Sequence, residues 1–250
     1  MILYAIGDSI TSGAELQEDG SMEESNKAYA YPMYLTDKLN YDECDNKAIA
    51  GAPNEWIARR GVLDIQALLD KGYKAQDLRV VVGWSSLNRA EISIKELKSR
   101  YPGRDAEWQT AHTSTEQFMF ETMFINANTS QELVLGDGKL AVEHGQVARD
   151  FYADYVWDYE LEYEKWYSQI LFFQNYLENK NIKYIFHNNV HPCEVKANFL
   201  ENNIRYYKPN EAFNQWANKY DRRKLGHPVE EAHGDYADLL LEYINKHELF

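Results

Sequence analysis

The sequence predicts an α/β protein, a three-layer α/β/α sandwich with parallel strands at its centre and helices on both faces. Three observations lead there. Short runs rich in Val and Ile alternate with longer amphipathic stretches along the 250 residues. Each run ends where glycine or polar residues begin, as expected where strands give way to loops. The composition, 44% hydrophobic and 26% charged, is that of a chain able to bury one full core.

The expected strands are residues 2–6, a weak one at 45–49, then 78–83 and 182–187. Helices are expected at 31–40, 54–71 and 155–180, with a last one at 228–246. Pro228 at its first turn, with Glu230 and Glu231, suits the positive end of a helix dipole. Residues 92–150 break the rhythm, with one good apolar stretch at 118–125. This segment reads as an insertion into a single domain spanning 1–250, helical with a short hairpin at 132–142, in the position of a lid or partner surface.

A formal charge of −14 opposes binding to nucleic-acid phosphates or to an anionic membrane surface. The start, Met1 to Ile6, lacks the positive charge and cleavage site of a secretory signal, and no apolar run is long enough to span a bilayer. The expectation is a soluble, cytoplasmic protein. Cys44 and Cys193, at unrelated spacing, read as thiols rather than a disulfide. The chain holds 19 Tyr, 10 Phe and 6 Trp, more aromatics than a minimal core needs, and some suit the lining of a cleft.

The strongest chemical signal follows the first strand: Gly7-Asp8-Ser9-Ile10-Thr11. Ligands of open parallel sheets bind beyond the carboxyl ends of the strands, which is where Ser9 falls. Gly7 allows the tight turn, and the Ser9 amide can face a developing oxyanion. The competing reading is an Asp/Ser helix cap without chemistry.

This segment resembles the nucleophile motif of the SGNH (GDSL-like) hydrolases, and the resemblance extends over most of the chain. It implies a flavodoxin-like sandwich and a serine esterase using an acyl-enzyme, with Ser9 as nucleophile. Asn46 to Asn54 is similar to the family's second block, with Gly51 as the oxyanion glycine. Asn54 is then either a substrate contact or a helix cap. In the third block, Gly83-Trp84-Ser85-Ser86-Leu87-Asn88-Arg89, Ser85 stands where the family has an oxyanion-binding Asn, and Asn88 is the alternative donor. Arg89 either faces an anionic substrate or pairs with an acid such as Glu91.

Gly226-His227-Pro228 resembles the family's closing block, which makes His227 the general base. Lys224 occupies the usual place of the orienting acid, three residues earlier. Asp221 or a backbone carbonyl is left to hold the imidazole. His233 reads as a structural partner of the active-site loop. The rival chemistry is zinc on His187 and His191, which lacks a third ligand by motif. No dinucleotide or phosphate-binding fingerprint is present, so no cofactor and no metal are implied.

The resemblance implies a small-molecule or carbohydrate ester as substrate, an O-acetyl or other short acyl group. An acyltransferase using the same residues, and a binding protein that kept the fold without efficient chemistry, are the alternatives.

Overall fold

The computed structural model describes residues 1–16, 24–93, 122–126, 156–190, 204, 212–223 and 226–250. The chain divides into two compact units, Met1–Ser86 with Trp166–Phe250, and Leu87–Lys165.

The first unit holds a four-stranded parallel sheet in the order β2-β1-β3-β6: β1 Ile2–Gly7, β2 Glu43–Asn46, β3 Leu78–Trp84 and β6 Lys183–Asn188. Every residue of β1 is buried, as befits a central strand covered on both faces. Alternation along the strands builds two cores. Leu3, Ala5, Val81 and Ile185 face one layer, where α2 (Tyr31–Lys38) and a long C-terminal helix, Glu230–Lys246, contribute Tyr31, Leu35, Tyr236, Leu240 and Ile244. The intervening strand positions include Val82, Trp84 and Phe186, all buried. Trp84 and Phe186 pack edge-to-face with ring centroids 5.6 Å apart. Phe173, on the helix Tyr159–Asn179, packs against both rings. It also lies so close to Gly61, on α3 (Asn54–Asp70), that a Cβ there would sit 2.6 Å from its Cε1 atom.

The observed elements match the expected order, with ends shifted by a few residues. The exception at the C-terminus is Pro228, expected inside the first helical turn. It lies before the helix instead, in a β-bridge with Arg222, while Val229 occupies the cap position. Glu230 and Glu231 still occupy the first turn, where negative charge suits the helix dipole.

The second unit contains an antiparallel ladder of β4 (Arg89–Ser93) with β5 (Thr122–Asn126), Arg89 opposite Asn126. Sequence patterning suggested an apolar stretch around β5 but not β4, whose five residues carry too short an alternation to be read without a partner. The hairpin expected at 132–142 lies outside the described residues. No helix among the described residues is long and apolar enough to cross a membrane. Cys44, on β2, is a free thiol whose pKa burial pushes up to about 11; Cys193 lies outside the described residues.

Candidate active site

Strand order reverses between β1 and β3, and parallel sheets bind ligands beyond the carboxyl ends of the strands at such a point. Ser9 begins α1 (Ser9–Ser12), a single turn directly after β1. Asp8 caps it by accepting the Ile10 amide at 3.1 Å, and Gly13 closes it at φ 74°, a conformation that favours glycine. Ser9 is 5% exposed, and its carbonyl accepts from the Ser12 hydroxyl at 2.9 Å.

Asp8 does more than cap. Its Oδ1 also accepts from Asn189 Nδ2 at 2.7 Å, and its Oδ2 accepts from the Ser85 hydroxyl at 3.0 Å. Asn189 Nδ2 lies 2.8 Å from Thr11 Oγ1 and 3.3 Å from the Gly83 carbonyl. One buried carboxylate thus ties together the chain segments that follow β1, β3 and β6. The packing leaves no space for side chains at Gly7 or Gly83. A Cβ on Gly7 would sit 2.8 Å from the Gly83 carbonyl oxygen, and one on Gly83 would lie 2.6 Å from Asn189 Nδ2.

The second-block loop is bound to the same helix, because Asn46 Nδ2 donates to the Thr11 carbonyl at 2.8 Å. Gly51 sits in this loop at φ 80°. Asn54 neither caps its own helix nor has an unengaged amide. Its Oδ1 accepts the Ser85 amide at 2.8 Å, and its Nδ2 donates to the Ser85 carbonyl at 3.2 Å. It clamps the third block onto α3.

That clamp changes the reading of Ser85, expected as an oxyanion donor. Its hydroxyl donates to Asp8 and its amide to Asn54, so both donors are directed inward. Asn88 and Arg89 belong to the second unit, where Asn88 is buried and Arg89 opens β4.

His227 lies on a tight loop. Arg222 and Pro228 bridge, the Arg223 amide donates to the His227 carbonyl at 2.9 Å, and Gly226 adopts φ 88°. Its Nδ1 lies 2.7 Å from Glu15 Oε2. The carboxylate on His227 is therefore Glu15, not Asp221, which is exposed. Arg223 adds a longer contact of 3.4 Å to the Leu16 carbonyl, so two bonds join this loop to the turn that leaves α1.

His233 serves α2 rather than the His227 loop. The first amides of a helix lack intrahelical partners, and Ala30 at the cap position of α2 has no side-chain oxygen to offer. His233 Nδ1 accepts the Tyr31 amide at 3.1 Å in its place. Burial, with a smaller contribution from His227, lowers its pKa to about 3. Between pH 6.5 and 3 the unfolded chain binds a proton at His233 that the folded chain refuses. Stability should fall as pH drops through that window, by up to about 1.4 kcal/mol per pH unit from this group. Urea unfolding of wild type and His233→Asn at stepped pH checks this. The variant should be weaker at pH 7 but show a shallower acid slope, and equal slopes would refute the assignment.

Both ring nitrogens of His187 are engaged, Nε2 with the Tyr31 hydroxyl at 2.8 Å and Nδ1 with the Tyr236 hydroxyl at 3.2 Å. This is a buried polar link in the core, not a ligand presented to the crevice. His191, its expected partner on zinc, lies outside the described residues, among which no group of three metal-binding side chains occurs.

Two residues of this site were missed by sequence reasoning. Asn189 stands in a segment read for its histidines. Glu15 carries no motif, and its one signal is indirect: with Lys224 in the usual place of the acid, an orienting carboxylate must come from elsewhere.

No family model matches the chain, and no curated protein matches it either. Solved structures do. An acetyl xylan esterase, Est2A, from the rumen bacterium Butyrivibrio proteoclasticus aligns with TM-score 0.51 and 15% identity over 100% of this chain and 65% of that one. This chain spans about two thirds of that esterase's length. A psychrotrophic esterase, EstA, from Pseudoalteromonas sp. aligns at TM-score 0.47 and 11% identity, over 98% of this chain and 97% of that one. A carbohydrate esterase aligns at TM-score 0.48 and 12% identity, over 98% and 68%. With its parallel β2-β1-β3-β6 sheet between two helical layers, the chain has the SGNH hydrolase fold, in a sequence far diverged from those of its structural neighbours.

Proposed function

We propose that this protein is a serine esterase in which Ser9 is the nucleophile and His227 the general base. The observation that carries the reading is that the His227 loop is bonded to the turn leaving the Ser9 helix, at the carboxyl end of β1. His227 Nε2 takes the Ser9 hydroxyl proton as Oγ attacks the ester carbonyl carbon. The amides of Ser9 and Gly51 receive the oxyanion. Collapse of the tetrahedral species breaks the bond to the alkoxy oxygen, which leaves with the proton from Nε2. Water, deprotonated by the same nitrogen, then releases the acid and restores the Ser9 hydroxyl.

The substrate class is a short acyl or O-acetyl ester, on a carbohydrate. Its support is the motif resemblance, an aromatic-rich chain, and a structural neighbour that is an acetyl xylan esterase. An acyltransferase would use the same residues with a different acceptor. The inward-directed Ser85 favours a second reading, a binding protein of this fold with weak chemistry, because it removes one expected oxyanion donor.

A fluorophosphonate probe separates the two. The esterase reading expects a single adduct on the peptide carrying Ser9, lost in Ser9→Ala. A folded wild type that neither labels nor hydrolyses p-nitrophenyl acetate would support the binding protein.

A further inference from the structure

We propose that Glu15 is the positioning residue for His227, supplying from the turn after the nucleophile helix the carboxylate that the closing block lacks. The inference rests on the esterase reading and names how its base is held. Glu15 is 1% exposed, and its Oε2 lies 2.7 Å from His227 Nδ1. A buried carboxylate is costly unless charge or hydrogen bonding compensates it, so its placement against an imidazole calls for a reason.

The backbone is bent to put it there. Gly13 at φ 74° ends α1, and the Ala14 amide donates to the Ser9 carbonyl at 2.9 Å. Glu15 itself sits at φ 65°, a left-handed conformation that non-glycine residues seldom adopt outside strained or functional turns. With only five residues between them, Ser9 and Glu15 are fixed by one short turn. An acid placed three residues before the histidine would move with the histidine loop; Glu15 moves with the nucleophile.

The chemical consequence is a tautomer. A carboxylate only accepts, so the Nδ1 facing Glu15 carries the proton and Nε2 keeps its lone pair for the Ser9 hydroxyl. When Nε2 takes that proton, the imidazolium that forms still donates from Nδ1 to the carboxylate 2.7 Å away.

Glu15→Gln, made in the full chain, keeps size but can present an amide N–H to Nδ1 and so favour the wrong tautomer. Its kcat for p-nitrophenyl acetate should fall by about 10³- to 10⁴-fold, with KM little changed. Glu15→Asp, which retains a carboxylate one methylene shorter, should keep more activity than Glu15→Gln. In proton NMR the wild type should show a far-downfield imidazole resonance that disappears in both Glu15→Gln and His227→Gln. A folded Glu15→Gln enzyme as fast as wild type would overturn the role of Glu15 and leave the Ser9 reading standing. A wild type inert to ester and fluorophosphonate alike would overturn both. Should Glu15→Gln not fold, the wild-type spectrum decides, because absence of the downfield proton overturns the proposal.

Discussion

Ser9→Ala is expected to lower kcat for ester hydrolysis by about 10⁶-fold, the scale seen when a serine nucleophile is removed from a working triad. The protein should remain folded. The bonds that shape α1 use the Asp8 side chain and the Ser9 backbone: Ile10 to Asp8, Ser12 to the Ser9 carbonyl, and Ala14 to the same carbonyl. Removing one hydroxyl from this buried turn should change unfolding free energy by about 1 kcal/mol or less. Activity assays paired with urea unfolding test both halves. A fall in rate accompanied by loss of structure would point to a role in packing. Residual rate well above one part in 10⁶ would assign the hydrolysis to another group.

The largest stability effect is expected one residue earlier. Asp8→Ala removes the acceptor shared by the Ile10 amide, the Ser85 hydroxyl and Asn189 Nδ2, in a position with no access to solvent. An unsatisfied buried donor costs about 1–3 kcal/mol; Ser85 can turn its hydroxyl elsewhere and Asn189 Nδ2 keeps Thr11 and the Gly83 carbonyl, so the total should be about 2–4 kcal/mol. Asp8→Asn should be milder, at about 1–2 kcal/mol. Its carbonyl can still accept from Ile10 and Asn189, while its amide can donate to the Ser85 hydroxyl oxygen. Chemical denaturation of the pair gives the ordering, and an Asn variant as unstable as the Ala variant would mean that charge, not hydrogen bonding, holds the three chain segments together. The same loss should reduce activity, since Asp8 fixes the turn that aims Ser9.

The aspartate of the Gly-Asp-Ser segment thus acts as a structural hub rather than a reagent. It connects the turn after β1 with Ser85 after β3 and Asn189 after β6, and Asn54 fastens Ser85 from the opposite side. These bonds organise the carboxyl end of the sheet around groups that face inward.

The sequence by itself determined the parts that repeat or that lie close along the chain. Apolar runs located β1, β3 and β6 to within a residue or two, because a strand buried on both faces is apolar over most of its length. The position of Ser9 was legible for the same reason: a serine directly after the first such strand falls at the mouth of a parallel sheet. His227 was singled out as the candidate base by its motif.

What only the tertiary structure decided are pairings between residues far apart in sequence. Glu15 meets His227 across 212 positions, and Asn189 meets Asp8 across 181. Neither Glu nor Asn is rare or periodic, so nothing local marks one such residue among many. Asp221 lay near His227 in sequence, yet it is exposed while Glu15 is buried. The β4 strand is a similar case, since its partner β5 follows a long intervening segment. Sequence proximity measures distance along the chain, whereas a hydrogen bond depends on distance through space, and only folding joins the two.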